Sequence, residues 1–312
     1  MIVIGVVLLQ AFIAWTRRQQ EAGKTPLLDL RVITSGQERA AVFALFCVVA
    51  LEAMLNFSVP LYIQIIQGRT PIETAIAMLP FNLTVFFTAI LVVRLYDTLT
   101  PRRIGQLGFV LCVVALLWLA WVVRTDWSAP VVMIGLIVFG LGQGALVTLL
   151  FNVLVTAAPK ALAGDVGSLR GTTQNLAAAV GTAVAGGLLV TLLSSMIFYQ
   201  LADNPRLPAE LQAQVDLDNI NFVTNERLLE VMQGTTATPE QVEEAVRINT
   251  ESRLRALKIT LLLMAGLALV AIFPASRLPG YKPGEMPHDP FSKPERPPGP
   301  AERGGPAAAP AE

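Results

Sequence analysis

The chain has 312 residues, of which 54% are hydrophobic and 15% are charged, and its formal net charge at pH 7 is zero. This composition places it among integral membrane proteins, and the balanced charge gives no indication of a nucleic-acid partner. Cys47 and Cys112 lie within apolar runs, which predicts buried thiols rather than a disulfide framework. The single histidine, His288, lies in a proline-rich tail. We therefore expect no histidine-based metal site and no cofactor.

Seven segments have the apolar length that a helix needs to cross a bilayer, ~20 residues. The first is short, and Arg17 and Arg18 follow it, whereas a signal peptide carries its basic residues before the apolar run. We expect a true span that begins upstream of Met1. The predicted spans are Met1–Thr16, Ala40–Gln67, Thr74–Val93, Ile104–Val123, Val131–Ala158, Gly171–Phe198 and Ile259–Ser276.

Basic residues are distributed unevenly between the short loops, and this asymmetry predicts the orientation of the chain. Ten of them lie in the loops after spans one, three and five, and two lie in the loops after spans two and four. The expected N-terminus is outside the cell membrane, and the expected C-terminus is cytoplasmic. The ten are Arg17, Arg18, Lys24, Arg31, Arg39, Arg94, Arg102, Arg103, Lys160 and Arg170, and the two are Arg69 and Arg124.

Two segments outside the spans have a composition of their own. In the extracytoplasmic loop 199–258, Thr238, Pro239 and Gln241 predict the start of an amphipathic helix that runs into the last span, and a second helix is expected at Asn221–Met232. The stretch 277–312 is rich in proline, glycine and charge, which predicts a disordered cytoplasmic tail.

Glu52 is the candidate for chemistry, because it lies near the middle of span two. A carboxylate in the bilayer centre costs at least ~2.5–3.5 kcal/mol unless it is neutralised or solvated. Such residues face the interior of a helix bundle and mark ion or proton pathways. A buried structural acid, hydrogen-bonded to a neighbouring helix, is the alternative.

Polar amides within the spans indicate an inner cavity, although each of them could also form a helix-to-helix hydrogen bond. Together with Glu52 they form the predicted proton-coupling or substrate set. The amides are Asn56, Gln64, Asn82, Gln143 and Asn152.

The loop after span three carries four charged residues, Arg94, Asp97, Arg102 and Arg103. An acid and paired arginines in a tight loop can form charge-assisted bonds to helix ends, so we predict a gating role on the cytoplasmic side. The alternative is that these arginines act only as topology signals.

Small residues recur at a spacing of four in spans five and six, as at Gly140 and Gly144 or at Ala177, Gly181 and Ala185. Such stripes let helix backbones approach closely in lipid. We expect them to pack helices together, and close packing that can slide is also what a rocking transporter needs.

Several of these motifs, in their order along the chain, resemble the fourteen-span drug:proton antiporter branch of the major facilitator superfamily. They are Pro26–Leu30 before span two, Pro60-Leu61-Tyr62-Ile63-Gln64, Gly68, Met78-Leu79-Pro80, the loop Arg94–Arg103, and Gly164-Asp165-Val166-Gly167. Val93 and Thr100 stand where the loop signature of that family has glycines.

The resemblance implies that residues 1–16 form a linker helix, that 17–39 form a cytoplasmic loop and that 40–276 form the C-terminal lobe. Spans two to seven would be two inverted three-helix repeats. The N-terminal lobe would be missing, or supplied by the same or another chain. The implied function is proton-coupled efflux of lipophilic or cationic compounds by alternating access.

Other functions stay open at this point. Seven spans with the N-terminus outside also fit a seven-helix receptor, and half a transporter could serve as an accessory subunit without transport. The spans contain no histidine and no carboxylate pair, so we do not expect an enzyme. Membrane lipids and a small-molecule substrate are the expected partners.

Overall fold

The computed structural model describes residues 2–22, 36–124, 130–157, 163–202, 224–235, 237–282 and 285. Over these ranges the regular structure is helical, which confirms the predicted all-α class. The helices are α1 (Ile2–Glu21), α2 (Gly36–Gln67), α3 (Pro71–Leu95), α4 (Pro101–Val122), α5 (Pro130–Ala157), α6 (Ala163–Ala202), α7 (Asn225–Gln233) and α8 (Pro239–Ala275).

Six of these helices, α2 to α6 and α8, are long and apolar enough to cross a membrane. They match the predicted spans two to seven, except that Val123 and Ser276 lie one residue past the ends of α4 and α8. Ala158, the predicted end of span five, lies outside the described residues. The first predicted span lies in α1, which continues beyond Thr16 to Glu21 and exposes large apolar side chains such as Val7, Leu8 and Phe12. Because α1 is not among the six, a seventh span stays a prediction.

Threonine followed by proline starts three of the long helices. The side chains of Thr70, Thr100 and Thr238 each accept a hydrogen bond from the backbone N–H three residues later. Pro239 then occupies the first turn of α8, and the Gln241 side chain returns a bond to the backbone N–H of Thr238 at 2.9 Å. This arrangement satisfies backbone donors that a helix start otherwise leaves unpaired. The predicted capping box is confirmed.

Helix α2 lies at the centre of the bundle and packs against α5, α6 and α8. Helix α4 packs against α5 and α8, whereas α3 packs mainly against α5. The outer face of α3 exposes bulky apolar side chains such as Leu83, Phe87 and Ile90. Such a face suits contact with lipid tails, since lipid is as apolar as the side chains themselves.

Glycines allow the closest helix approaches, as the small-residue spacing predicted. A Cβ atom on Gly144 of α5 would lie 2.6 Å from the carbonyl oxygen of Val85 in α3. A Cβ atom on Gly181 of α6 would lie 2.6 Å from the carbonyl oxygen of Ala50 in α2. Neither position accepts any larger residue without moving a backbone. Ala177 and Ala185, one turn away on either side of Gly181, are fully buried.

A small cap formed by α7 and the first turns of α8 stands on one end of the bundle. Leu228 and Met232 of α7 pack against Ile248 of α8. The cap reaches the turn between α2 and α3, where Gly68 adopts a left-handed φ of 62° and faces Glu226 of α7. The helix expected at Asn221–Met232 is observed as α7, while residues 203–223 lie outside the described part of the chain.

The chain continues to pack after α8 ends. Leu278 is fully buried, and it lies so close to Gly105 of α4 that a Cβ there would be 2.7 Å from its Cδ1 atom. Burial raises the pKa of Tyr281, and the negative charge of Glu38 raises it further. This end of the chain therefore lies near the start of α2. Most of the predicted disordered tail, from 286 to 312, falls outside the described residues.

Candidate functional site

Glu52 lies on a polar stripe of α2. Glu52, Asn56, Pro60 and Gln64 follow one another at a spacing of four, which places them on one helix face. Asn56 is exposed, and Glu52 and Gln64 are half-buried, whereas most of the neighbouring apolar residues of α2 are buried. Three of the predicted site residues therefore share one face, and this face is open in the structure.

Glu52 contacts Gln143 of α5, and the Gln143 side chain is fully buried. The Nε2 atom of Gln143 donates to Oε2 of Glu52 at 3.0 Å and to the backbone carbonyl oxygen of Val48 at 3.1 Å. Its own Oε1 atom is buried and has no hydrogen-bond partner among the described residues. The nitrogen side of the amide thus faces two acceptors on α2. A carboxylate oxygen accepts a stronger hydrogen bond than the hydroxyl of a carboxylic acid, so a proton on Oε2 would weaken this contact.

Two flanking glycines explain why Gln143 points at α2. A Cβ on Gly142 would lie 2.6 Å from the carbonyl oxygen of Gly108 in α4, and Gly144 is equally close to α3. Successive residues of a helix point about 100° apart, so Gly142, Gln143 and Gly144 face α4, α2 and α3 in turn. The two backbone contacts fix the rotation of α5, and that rotation presents the Gln143 amide to Glu52.

The other two predicted amides are placed elsewhere. Asn82 of α3 is exposed and donates to the Met78 carbonyl oxygen of its own helix at 3.1 Å. Asn152 is buried in α5, nine residues beyond Gln143 and therefore about 13 Å further along the helix axis. The structure brings Gln143 to Glu52 and keeps these two amides apart from that contact.

The predicted gating loop joins α3 to α4. The side chains of Arg94, Asp97, Arg102 and Arg103 are all exposed. The residue that anchors the loop is instead Tyr96, which is buried and interacts with the Asn152 side chain. This contact ties the loop to the end of α5. The four charged residues therefore lie on a surface whose position depends on α5.

Sequence reasoning missed two buried residues, Tyr96 and Arg253. Tyr96 lies between Arg94 and Asp97, and an aromatic residue in an otherwise charged loop is the signal that could have revealed it. Arg253 lies in α8 six residues before the predicted last span, and only 7% of its surface is exposed. Nothing in its sequence neighbourhood distinguishes it from Arg247 or Arg255, because burial there depends on α2 and α6.

No group of three or more histidine, cysteine, aspartate or glutamate side chains able to hold a metal ion occurs within the ranges that the structure describes. The groups present at the Glu52 contact are a carboxyl group and the side-chain amide of Gln143, both of which form hydrogen bonds.

Comparison with known proteins gives one family and several relatives. The sequence profile of the Major Facilitator Superfamily matches residues 1–182, which is more than half of the chain. The chain is 26% identical over 216 residues to the "Probable actinorhodin transporter" of Streptomyces coelicolor, an alignment that covers 67% of this chain and 37% of the relative.

Two further relatives carry names that refer to drug resistance. The "Multidrug resistance protein Stp" of Mycobacterium tuberculosis is 27% identical, over 60% of this chain and 34% of the relative. The "Tetracenomycin C resistance and export protein" of Streptomyces glaucescens is 25% identical, over 68% of this chain and 40% of the relative. The chain therefore spans well under half the length of each of these relatives.

Proposed function

The chain belongs to the Major Facilitator Superfamily, and we propose that it is the C-terminal part of a secondary active transporter that exports lipophilic or cationic compounds in exchange for protons. Members of this family are transporters rather than enzymes, which agrees with the sequence-based expectation. Membership in a family of transporters also argues against the seven-helix receptor alternative. Relatives whose names refer to drug resistance and export support the substrate class.

In the proposed architecture, α2, α3 and α4 form one repeat and α5, α6 and α8 form an inverted copy of it. The packing pattern supports this arrangement. Exchanging the two repeats converts the contact of α2 with α6 into that of α5 with α3, and the contact of α4 with α5 into that of α8 with α2. All four of these contacts occur. Helix α1 would be the linker to an N-terminal lobe in the same chain or in another one.

The contact between Glu52 and Gln143 carries the proposed mechanism. These residues lie on α2 and α5, which correspond to each other in the two proposed repeats. With Oε2 unprotonated, the Gln143 amide joins the two helices at 3.0 Å. Protonation of Oε2 replaces this charge-assisted hydrogen bond with a weaker neutral one and so loosens the contact. A loaded proton thereby favours one packing of the helices, which is the coupling that alternating access requires.

Asn56 and Gln64 extend the polar stripe from Glu52 along α2, and we propose that this stripe lines the substrate path. It supplies hydrogen bonds on a half-open face, where a compound with apolar and polar parts can bind. In this proposal Asn82 contacts substrate at the edge of the path. Asn152 holds the loop between α3 and α4 in place through Tyr96.

The α3–α4 loop is proposed to act as a cytoplasmic gate. Arg94, Asp97, Arg102 and Arg103 are exposed on this loop, and charged side chains of this kind can form charge-assisted bonds to helix ends of an opposing lobe. Because Tyr96 interacts with Asn152, a movement of α5 would shift these charges. The gate and the proton site would then respond to the same helix.

The proposed location is the cell membrane, with the N-terminus outside and the C-terminus in the cytoplasm. The uneven distribution of basic residues supports it. In a background without Cys47 and Cys112, an impermeant thiol reagent added to intact cells should label Thr235→Cys and leave Gln19→Cys unlabelled. Labelling of position 19 alone would reverse the orientation.

A second candidate function is that of an accessory membrane subunit without transport activity. It is compatible with the alignments, which cover 34–40% of the relatives described above. Transport by the chain alone, and transport after an N-terminal lobe is supplied, would distinguish the two functions.

The experiment uses liposomes that contain the chain with a co-expressed N-terminal lobe of a close relative, under an imposed pH gradient. Glu52→Gln keeps the size of the side chain and can still form hydrogen bonds, but it cannot exchange a proton. We expect it to abolish gradient-driven accumulation of a lipophilic cation while downhill movement continues. Glu243→Gln makes the same change at an exposed carboxylate of α8 outside the predicted span, and as the matched control it should leave gradient-driven transport unchanged.

Two results would contradict the proposal. Full gradient-driven transport by Glu52→Gln would remove this carboxyl group from the coupling mechanism. Absence of any transport by the unaltered chain, with and without the added lobe, would favour the accessory subunit instead.

A further inference from the structure

Helices α4 and α8 form a packed pair on the outside of the bundle. The first turn of α4 meets the last turn of α8, because a Cβ on Gly105 would lie 3.6 Å from the Cβ of Ala275. The two helices therefore run in opposite directions. Each of them turns one row of exposed side chains away from the bundle, and we call these two rows together the α4–α8 outer face.

The exposed row of α4 is basic at one end and apolar along the rest of its length. It contains Arg103, Leu107, Val110, Leu117 and Trp121, all of them exposed. Their spacings of three, four or seven residues keep them on one side of a helix. From Arg103 to Trp121 the row is about 27 Å long, close to the ~30 Å thickness of the hydrocarbon core of a bilayer. Arg103 therefore lies at the level of the lipid head groups.

The exposed row of α8 ends in the same way. Leu262, Leu269 and Phe273 are exposed, and Arg277 follows on the same side, two residues after the end of the helix. The Arg277 guanidinium lies over the Phe273 ring, 4.4 Å from its centroid. Such stacking of a cation on an aromatic face is favourable. It holds a positive charge at the point where the apolar row ends.

The arginines at the two ends of α8 differ in their partners. Near its start, Glu251 lies 3.0 Å from Arg247 and 3.9 Å from Arg255, so carboxylates accompany the positive charges there. Within the part of the chain that the structure describes, neither Arg103 nor Arg277 forms an ion pair. The outer face therefore carries its positive charge at one end without a carboxylate from those residues.

The positive-inside rule explains why basic residues occur at this end of the bundle, but it does not specify their position on a helix. Arg103 and Arg277 each continue an exposed apolar row, and the two rows belong to neighbouring helices. Arg94 ends the exposed row of α3, which includes Ile90, but α3 packs mainly against α5. The α4–α8 outer face thus combines two such rows, whereas α3 offers one.

A phospholipid has the chemistry that this face matches. Its acyl chains fit apolar rows of this length, and its phosphate suits the planar donors of a guanidinium. Two arginines on neighbouring helices favour a head group with a net negative charge. The amine of a zwitterionic head group would cancel the charge of its own phosphate and lie among the two positive side chains.

We propose that the α4–α8 outer face binds an anionic phospholipid of the membrane, with its phosphate at Arg103 and Arg277 and its acyl chains along Leu107, Val110 and Leu269. The inference goes beyond the proposed transport function. Arg103 also belongs to the proposed gate, but the test measures lipid binding rather than transport. The two proposals can therefore fail separately.

The test uses a local reporter on the full chain, reconstituted in phosphatidylcholine bilayers. In a background without Cys47 and Cys112, a fluorophore is attached to Leu107→Cys, four residues from Arg103. Small, equal fractions of phosphatidylglycerol or phosphatidylcholine that carry a nitroxide on an acyl chain then quench it. We expect phosphatidylglycerol to occupy the site about three- to tenfold more strongly, since one basic residue near a membrane surface contributes about fivefold to the attraction of an anionic lipid.

Ile90→Cys is the matched control reporter. Ile90 lies on the exposed row of α3, four residues before Arg94, and is exposed to a similar extent as Leu107. Its fluorophore reports lipid beside a single row that ends in one arginine. We expect quenching there to differ less than twofold between the two lipids.

Substitutions of the two arginines connect the preference to their charges. Arg103→Gln and Arg277→Gln should each lower the preference at the Leu107→Cys reporter about two- to fivefold, and the double variant should abolish it. Both side chains are exposed, so the variants should fold as the unaltered chain does.

Phe273→Leu tests the face without changing any charge. It keeps the apolar row but removes the ring that lies under the Arg277 guanidinium. We expect it to lower the preference about twofold, because Arg277 is then no longer held at the end of the row.

Four results would overturn the proposal. One is equal quenching by the two lipids at Leu107→Cys. Another is a preference of the same size at Ile90→Cys, which would reflect the overall charge of this end of the bundle. The third is a preference that survives in the double arginine variant. The fourth is efficient disulfide formation between Leu107→Cys residues of two copies in the same bilayers, which would place a second chain on this face.

Discussion

Helix α5 makes two neighbouring contacts that differ in kind. Gly144 brings α5 against the backbone of α3, with no side chain between them, and a Cβ there would be 2.6 Å from a carbonyl oxygen. Gln143, one residue earlier, meets α2 through a hydrogen bond to a carboxylate at 3.0 Å. The first contact is fixed by sterics and cannot respond to pH. The second can change whenever a proton is gained or lost.

This difference separates residues that hold the helices together from residues whose contacts could change during a conformational transition. The dry contacts at Gly142 and Gly144 hold α5 between α4 and α3 and set its rotation. The polar contact at Gln143 uses that rotation to reach Glu52. A contact of the first kind has no group that can gain or lose a proton, whereas a contact of the second kind can change in strength when its carboxyl group is protonated.

The largest effect on stability is expected at the contact of Gly144 with the backbone of α3. Gly144→Leu forces side-chain atoms into the Val85 carbonyl region, where only backbone can move, so we expect a loss of several kcal/mol of unfolding free energy, above the ~1–3 kcal/mol usual for overpacking. The measurement is detergent-induced unfolding together with the yield of monodisperse protein.

Gly266→Leu is the matched control for that experiment. Gly266 lies in α8, is exposed, and has no atom within 4 Å of a built Cβ. It should change the unfolding free energy by no more than ~0.5 kcal/mol, as is usual for surface substitutions. Equal losses in the two variants would contradict the steric explanation, because leucine favours a helix more than glycine does and only Gly144 lies against α3.

Local sequence signals predicted much of the bundle. The spans follow from runs of apolar residues, and the start of α8 follows from Thr238, Pro239 and Gln241, because a capping box depends only on residues within one turn. The packing role of Gly140 and Gly144 also followed from spacing, since residues four apart share a helix face.

The partner of Glu52 could not be predicted in the same way. Gln143 is 91 residues from Glu52 in sequence, and it was one of five candidate amides. Which amide meets the carboxylate depends on the rotation of α5, and that rotation is set by glycine contacts with two other helices. The burial of Tyr96 and Arg253 likewise depends on helices that are distant in sequence. It could not be predicted from the charged loop around Tyr96 or from the basic part of α8 around Arg253.

The central claim is that Glu52 and Gln143 are energetically coupled and that the coupling depends on a proton. A double-mutant cycle of Glu52→Leu and Gln143→Leu, followed by detergent-induced unfolding across a pH series, measures this directly. Asn82→Leu combined with Gln143→Leu is the control pair, because Asn82 is exposed and bonded to its own helix. The control pair should be additive at every pH.

The account predicts a coupling free energy of about 1 kcal/mol while the carboxyl group is ionised, within the range for polar contacts between membrane helices. It also predicts that the coupling shrinks as the carboxyl group takes up a proton at low pH. A coupling below ~0.3 kcal/mol at every pH, the level expected of independent sites, would contradict the claim. So would a coupling of constant size across the series.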